Sequence, residues 1–470
     1  MLFNTPLFLY FFAVFFLLYS FVFLRRTPRL WLILVGSLVF YAGWNYRFIP
    51  LLVLSSVVDY FVAQAIETAA GHERRRRWLL TASMVTNLGI LGIFKYSGFV
   101  LESVHDLLGA LGYSVALPTL AVALPVGISF YTFQSMSYTI DVYRGRMRAH
   151  RGLLQFTAAL AFFPQLVAGP ILRARQILPQ LEEIRSPTWP GVKHGLVLIT
   201  VGLCKKTMAD LLAAPVAIAF DGPDPVSWLE SWTGVLAFAG QIYGDFSGYS
   251  DIAIGLGLLL GFELPQNFRL PYFATSPVEF WRRWHITLST WLRDYLYIPL
   301  GGNRSRRHLN VMITMLLGGL WHGAAWTFLV WGAFHGALVS ATHLLQRVPT
   351  FARWSALDTA SAKAIKMAAT FYLVLVGWVF FRAQTFDGAW DLLLHLHAPQ
   401  GLPSFPPEAP VITALTVVAL VWMHVMDWLV LHKGGSIERR AWLLWPLLVL
   451  GQMFTILIGD PGHAFIYFQF

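Results

Sequence analysis

Long apolar runs recur from one end of the sequence to the other, and they constrain the fold more than any other feature. They lie near residues 6–24, 78–99, 117–142, 152–170, 191–219, 228–262, 309–322, 324–346, 363–382, 410–431 and 441–459. Two shorter runs fit between Arg29 and Glu73. Because a helix of about 20 apolar residues crosses a bilayer, we predict an all-α polytopic membrane protein with about eleven transmembrane helices. The shorter runs predict additional re-entrant or interfacial helices.

Composition excludes two other classes of protein. Of the 470 residues, 57% are hydrophobic and only 12% are charged. A soluble enzyme needs roughly twice that charge, since soluble domains carry about 25% charged residues. Nucleic-acid binding requires a continuous basic face on a polar module, and no segment is polar for long enough.

The net charge of +10 is concentrated in arginine clusters between the apolar runs. These clusters are Arg25, Arg26 and Arg29; Arg74 to Arg77; Arg144, Arg146, Arg148 and Arg151; Arg173 and Arg175; Arg304, Arg306 and Arg307; Arg439 and Arg440. Such clusters mark cytoplasmic loops. Since the first run ends in arginines and has no small-residue cleavage site, we expect a retained span with the N-terminus outside.

Cysteine usage adds little to the functional assignment. The single Cys204 can form neither an intrachain disulfide nor a multi-cysteine metal site, and we predict no metal. Beside Lys205 and Lys206, this cysteine is more typical of a small apolar residue near a membrane boundary than of a nucleophile.

The most polar stretch, residues 278–303, has a helical pattern up to Pro299. On that helix, one face of about 100° carries aromatic and leucine residues, namely Trp281, Trp284, Leu288, Trp291, Leu292 and Tyr295. The adjoining polar stripe holds Arg282, His285, Ser289 and Arg293. The pattern predicts an interfacial helix whose arginines contact either lipid phosphates or a phosphate-bearing ligand at the mouth of a site.

A second polar group lies in residues 241–251, which read QIYGDFSGYSD. Asp245, Ser247, Tyr249 and Asp251 are surrounded there by apolar residues. Carboxylates at membrane depth are costly and tend to have partners. We expect either a structural ion pair with an arginine such as Arg282, or a ligand-binding group.

Residues 318–337 read GGLWHGAAWTFLVWGAFHGA and place two histidines among small residues. His322 and His335 are thirteen positions apart, about 220° around a continuous helix, so both can face one cavity only if the helix breaks. The glycines beside His322 allow another backbone or a slim acyl chain to approach closely.

Three long motifs in this order and spacing resemble the membrane-bound O-acyltransferase superfamily, and within it the bacterial alginate O-acetylase branch. They read QIYGDFSGYSDIAIGLGLLLGF, NFRLPYFATSPVEFWRRWHITLSTWLRDYLYIPLGGNR and GGLWHGAAWTFLVWGAFHG. LPVGISFYTFQSMSYTIDVYRG, FFPQLVAGPILR and the final FIYFQF are also similar to that branch. Since the resemblance covers nearly the whole chain, we expect one integral-membrane domain over residues 1–470, with a motif-bearing core at about 120–345.

The resemblance implies helices around a central funnel, with His322 at its narrow point and His285 as the second histidine of the branch, and we expect both histidines to be catalytic. It also implies that an acetyl group moves from cytoplasmic acetyl-CoA to a hydroxyl on the far side of the inner membrane, without a bound cofactor. His335 is then structural. We expect Arg282 and Arg293 to bind the donor. Nearby cationic residues that could add to the attraction are Arg304, Arg306 and Arg307.

The chemistry of acetyl transfer suits a buried histidine. A base must take the hydroxyl proton as the ester bond forms, and neutral imidazole can do so. We expect Trp321 and Trp326 to bury His322 and keep it neutral, and we count Asp245, Ser247, Tyr249, Trp321 and Trp326 as substrate-binding candidates. Alternatively, His322 attacks the thioester and carries the acetyl group itself.

The sequence allows more than one acyl acceptor, and it allows a transporter as the alternative to an enzyme. An exported polysaccharide of the alginate type is the first expectation, but acetylases of cellulose and peptidoglycan share the motifs. No long polar segment forms a periplasmic catalytic domain, so we expect a separate periplasmic acetyltransferase as partner. The alternative is a transporter or flippase for a lipid-linked glycan or acyl donor, in which the histidines and Asp245 relay protons.

Overall fold

A computed structural model describes residues 1–114, 123–222, 227–397 and 406–439, with side chains up to residue 432. Within these ranges the regular elements are helices, and no strand occurs. The chain forms two compact units. One comprises Met1–Val192 and Leu256–Leu264, and the other comprises Lys193–Gly255 and the chain from Pro265 onwards.

The first unit contains the N-terminal helices. They are α1 (Pro6–Leu17), α2 (Arg26–Asn45), α3 (Ile49–Thr68), α4 (Glu73–Leu91), α5 (Ser97–Ala110), α6 (Ile128–Tyr143), α7 (Leu153–Ala161), α8 (Phe163–Leu166) and α9 (Ala174–Glu182). α3 packs against α4, α6 and α7. At its centre the buried Asp59 accepts hydrogen bonds from Ser83 (2.6 Å), Asn87 (2.8 Å) and Ser135. These bonds offset the cost of burying a carboxylate.

The second unit contains most of the polar motifs. Its helices are α10 (Trp189–Leu211), α11 (Ala213–Asp221), α12 (Trp228–Leu259), α13 (Pro277–Arg283), α14 (Ile286–Leu292), α15 (Arg307–His322), α16 (Trp326–Leu345), α17 (Pro349–Ala356), α18 (Ala360–Arg382), α19 (Phe386–His397) and α20 (Ala409–Arg439). Residues 189–192 of α10 and 256–259 of α12 belong to the first unit. α16 packs against α13, α15 and α18. The motif that contains His322 and His335 therefore lies on two helices, α15 and α16, within this group of four.

Five helical stretches among the described residues are long and apolar enough to cross a membrane. They are Arg26–Thr68, Glu73–Ala110, Trp326–Leu345, Ala360–Arg382 and Ala409–His432. With the shorter apolar stretch Pro6–Val22, they support a polytopic membrane protein. The total of about eleven spans stays a prediction, and the expected run at 441–459 and the final FIYFQF lie outside the described residues.

Two apolar runs, each expected to form a single span, are broken. Residues 152–170 form the short helices α7 and α8, and residues 191–219 form α10 and α11. Pro164 and Pro215 explain the breaks, because a proline ring clashes with the carbonyl four residues earlier and cannot continue the preceding helix. The residue four positions before Pro164 is Leu160, next to the last residue of α7. The residue four positions before Pro215 is Leu211, the last residue of α10.

Candidate active site

The hairpin of α15 and α16 positions His322 at the last residue of α15. Gly323 is extended (φ −156°, ψ 151°), so the helix breaks between the two histidines and α16 runs back against α15. The crossing is very close: a Cβ on Gly332 would lie 3.0 Å from the Cα of Leu316, and one on Gly319 would overlap the carbonyl of Phe328. Glycine is therefore required for the two backbones to touch.

His322 is buried, with 3% of its surface exposed, inside an aromatic cluster. Its ring centroid lies 5.0 Å from Trp321, 5.1 Å from Trp331 and 5.2 Å from Phe381. The last two residues belong to α16 and α18. The imidazole is thus held in position by rings from three helices.

His322 also lines a cavity of about 540 Å³, which we call the histidine cavity. Its other lining residues include Arg282 and Ser289, Arg293 and Arg307, Thr314 and Trp331. The expected catalytic histidine and the two expected donor-binding arginines therefore border one space. A volume of this size is typical of a small-molecule site.

A second cavity of about 650 Å³ adjoins the first and is rich in cationic side chains; we call it the arginine cavity. Its lining includes Arg269, Arg282, Arg283, Arg307 and His343, and also Glu279, which lies 2.6 Å from Arg283. Of these, Arg282, Arg307 and His343 also line the histidine cavity. Guanidinium groups bind phosphates in paired hydrogen bonds, so this space is suited to a phosphorylated ligand.

The prediction of one continuous helix over residues 278–299 is wrong. α13 ends at Arg283, Trp284 is extended (φ −100°, ψ 128°), and His285 takes a left-handed conformation (φ 42°, ψ 55°) before α14 begins. The physical reason is a pairing with residues 267–269: Ile286 N donates to Asn267 O (2.8 Å) and Arg269 N donates to Arg283 O (2.9 Å). Trp284 is fully buried, so the aromatic face of the predicted interfacial helix is not a surface.

His285 lies at this break and is fully buried. Its Nδ1 is 3.0 Å from Asn267 Oδ1, and its ring centroid is 6.4 Å from that of His322. Burial lowers the pKa of His285 to about 3, so this imidazole is neutral at physiological pH. His285 is not among the residues that line the histidine cavity, whereas Arg282 and Ile286 on either side of it are.

Comparison with known proteins identifies the family. Residues 39–382 match the model of the membrane-bound O-acyltransferase family, MBOAT. The chain belongs to this family. It is 42% identical to a probable alginate O-acetylase AlgI of Azotobacter vinelandii over 398 residues, which are 83% of this chain and 77% of that protein.

Two further relatives extend the comparison. The chain is 36% identical to a peptidoglycan O-acetyltransferase of Helicobacter pylori, over 84% of this chain and 79% of that protein. It is 27% identical to a teichoic acid D-alanyltransferase of Streptococcus thermophilus, over 45% of this chain and 55% of that protein. The chain is therefore an acyltransferase, and the transporter alternative loses its support.

His335 of this MBOAT chain is buried on α16, away from the lining of the histidine cavity. Its ring packs against Trp281 (5.1 Å), Trp331 (4.8 Å) and Phe280 (6.1 Å). Neither ring nitrogen has a hydrogen-bond partner among the residues that the structure describes. This environment agrees with a packing function.

The carboxylates of α12 are paired, but the partner expected from the sequence is wrong. Lys206 lies 3.1 Å from Asp245 and also contacts Asp210. Lys205 contacts Asp251 and lies 2.6 Å from Asp427. Two lysines of α10 rather than Arg282 are the partners, because α10 and α12 are in backbone contact where Gly202 and Gly248 face each other.

The remaining substrate-binding candidates lie apart from the histidine cavity. Asp245, Ser247 and Tyr249 are buried on α12 and are not part of its lining. Trp321 contacts His322 through its ring, but Trp326 is 61% exposed. Trp326 therefore does not bury His322 as expected, since it starts α16 beyond the turn; Trp331 and Phe381 do so instead.

Sequence reasoning missed one residue at the centre of this region. Asn267 contacts His285, Thr287 and Ser250, yet in the sequence it is only one letter of a longer motif. A lone amide between apolar residues, at the start of the most polar motif, is the signal that could have revealed it. Among the described residues, no group of three or more His, Cys, Asp or Glu side chains is placed to hold a metal ion.

Proposed function

We propose that this acyltransferase takes an acetyl group from cytoplasmic acetyl-CoA and moves it across the bacterial inner membrane for O-acetylation of an exported polysaccharide. The observation that carries the proposal is the shared lining of the histidine cavity by His322, Arg282 and Arg293. A base and two phosphate-binding groups thereby border one space. Transfer from a phosphorylated thioester requires both kinds of group.

The arginine cavity supports a nucleotide thioester as donor. Acetyl-CoA carries several phosphates, and Arg269 and Arg307 add cationic groups beside Arg282, whereas Arg283 is paired with Glu279 of the same lining. These side chains would hold the nucleotide end while the slim acetyl-bearing arm extends along the histidine cavity.

His322 acts as the general base in this mechanism. The acceptor hydroxyl attacks the thioester carbonyl, the C–O ester bond forms and the C–S bond breaks. His322 takes the hydroxyl proton and returns it to the departing thiolate, so the products are an acetyl ester and CoA thiol. In the covalent variant, His322 attacks the thioester first, the C–S bond breaks and CoA leaves as the thiolate; the acceptor hydroxyl then attacks the acetyl-imidazole, the C–N bond breaks, and the hydroxyl proton goes to the thiolate through His322.

The acceptor proposal follows the relatives. Proteins named as probable alginate O-acetylases are 41% to 43% identical to this chain, compared with 36% for the peptidoglycan O-acetyltransferase. We therefore place an alginate-type polymer first. A separate periplasmic acetyltransferase receives the group and modifies the polymer, and the N-terminus lies on that periplasmic side.

Reconstitution tests the donor and the division of labour together. Purified protein is placed in proteoliposomes that contain mannuronate polymer, with or without a periplasmic extract from the source organism in the same lumen. Radiolabelled acetyl-CoA is added outside. We expect release of CoA thiol and labelled polymer only when the extract is present. Labelling of polymer without the extract would refute the need for a periplasmic partner. If folded protein releases no CoA thiol with or without the extract, acetyl-CoA is not the donor.

A further inference from the structure

Asn267 holds the hairpin that carries His285 through both its backbone and its side chain. Its carbonyl accepts from Ile286 N at 2.8 Å, immediately after the left-handed His285. Its Oδ1 lies 2.8 Å from Thr287 Oγ1, 3.0 Å from His285 Nδ1 and 3.3 Å from Thr287 N. Asn267, His285 and Thr287 are buried, so the contacts of the Asn267 side chain are shielded from water.

The orientation of the Asn267 amide follows from these contacts. A backbone N–H can only donate, so the atom facing Thr287 N must be the oxygen and not the nitrogen of the amide. The Nδ2 group then points towards Ser250 Oγ on α12, at 3.1 Å. Both ends of the amide are accounted for, and a flipped amide would set two donors against each other.

This orientation decides where His285 carries its proton. Oδ1 of Asn267 can only accept, so His285 Nδ1 must be protonated in order to donate to it. A neutral imidazole has one N–H, and Nε2 is therefore the nitrogen with the lone pair. The left-handed backbone at His285 adds to this arrangement, because a non-glycine residue holds that conformation only when its surroundings determine it.

We propose that Asn267 is a positioning residue that fixes His285 in the Nδ1–H tautomer and so presents Nε2 as a proton acceptor within the aromatic cluster of His322. The inference rests on the proposed function for its kinetic consequence and on the contacts above for the tautomer itself. The ring centroids of His285 and His322 are 6.4 Å apart, a separation that one water can bridge. Because His285 does not line the histidine cavity, Nε2 acts through this water, which orients the acceptor hydroxyl while His322 takes its proton.

Two substitutions separate this function from packing alone. Asn267→Asp keeps an oxygen at the Oδ1 position, so His285 retains its acceptor and its tautomer. Asn267→Leu has similar volume but no acceptor, so the Nδ1–H loses its partner. We expect Asn267→Leu to lower kcat roughly 10- to 100-fold, the range known when an orienting outer partner is removed. KM for acetyl-CoA should stay unchanged, and Asn267→Asp should recover most of kcat.

Solid-state nitrogen NMR of histidine-labelled protein measures the tautomer without any acetyl donor, and His285→Gln identifies the signal. We expect Nδ1–H in wild type and in Asn267→Asp, and Nε2–H or a mixture in Asn267→Leu. Nε2–H in the wild-type protein would overturn the proposal, as would wild-type kcat per folded molecule in Asn267→Leu. Should Asn267→Leu not fold, the wild-type spectrum still decides. If wild type shows Nδ1–H but does not turn over acetyl-CoA, the proposed function fails and the tautomer assignment stands.

Discussion

His285 and His322 lie in one aromatic cluster, with ring centroids 6.4 Å apart and ring planes inclined by 59°. Trp321 contacts both rings, at 5.7 Å from His285 and 5.0 Å from His322. Of the two histidines, His322 alone lines the histidine cavity. The two imidazoles therefore have different access to substrate, which suits one base and one orienting group.

The arginines of the histidine cavity should control donor affinity. Removing Arg282 or Arg293 deletes a charged hydrogen-bond donor whose net contribution is about 1.5–3 kcal/mol. We expect Arg282→Ala and Arg293→Ala to raise KM for acetyl-CoA roughly 10- to 100-fold with little change in kcat. Initial rates of CoA thiol release in the proteoliposomes that contain polymer and periplasmic extract measure both constants.

Arg353→Ala is the matched control, because Arg353 is exposed on α17 and lines neither cavity. Acetyl-dephospho-CoA provides a second comparison, since it lacks one phosphate and should bind wild type less tightly. Unchanged KM in both cavity variants would mean that these arginines contact lipid and not donor.

The close crossing of α15 and α16 should be sensitive to a single methyl group. A Cβ on Gly332 would lie 3.0 Å from the Cα of Leu316, and backbone atoms cannot rotate away. Overpacking of this kind costs about 1–3 kcal/mol. We expect Gly332→Ala to lower the melting temperature and kcat together, because Trp331 and His322 move apart.

Gly89→Ala controls for helix propensity alone. Gly89 lies in α4, and a Cβ at this position would have no neighbouring atom within 4 Å, so an alanine methyl group meets open space there. Alanine in an exposed helix is more stable than glycine by up to about 1 kcal/mol. Equal behaviour of the two variants would contradict the close-crossing account.

The buried lysines of α10 should be essential for folding. Lys205 is 1% exposed between Asp251 and Asp427, and removing one member of a buried ion pair costs about 3–5 kcal/mol. We expect Lys205→Met to give little folded protein or a strongly reduced melting temperature in detergent. Lys363→Met, which removes an exposed pair with Asp358, should leave the melting temperature unchanged. Similar melting curves would show that the buried pairs contribute little.

Much of the fold and part of the site follow from local sequence patterns. Apolar length predicts the membrane class, and small residues around His322 predict a close helix crossing. Arg282, Arg293 and His322 stand out by charge and motif, and they line one cavity. These features depend on neighbours in sequence, so a single chain is enough to reveal them.

Features set by distant residues could not be predicted in the same way. Nothing local breaks the helix at Trp284 and His285; the break depends on pairing with Asn267, 18 positions upstream of His285. Likewise, the partners of Asp245 and Asp251 are lysines on another helix, and only the packing of α10 on α12 selects them over an arginine. Trp326 and Trp331 are five positions apart in the sequence. The turn between α15 and α16 places Trp331, and not Trp326, against His322.

The most direct test of the central claim compares His322→Ala with His335→Ala. Both side chains are buried, and their ring contacts share Trp331, so a packing effect should be similar for the two. Loss of a general base costs about 10²- to 10⁴-fold in rate while the fold is kept. The measurement is acetyl transfer from radiolabelled acetyl-CoA to polymer in proteoliposomes that contain the periplasmic extract, per folded molecule, with folded protein counted by size-exclusion chromatography. The account predicts that His322→Ala loses transfer by at least about 10²-fold while His335→Ala keeps it; wild-type transfer per folded molecule in His322→Ala would contradict it.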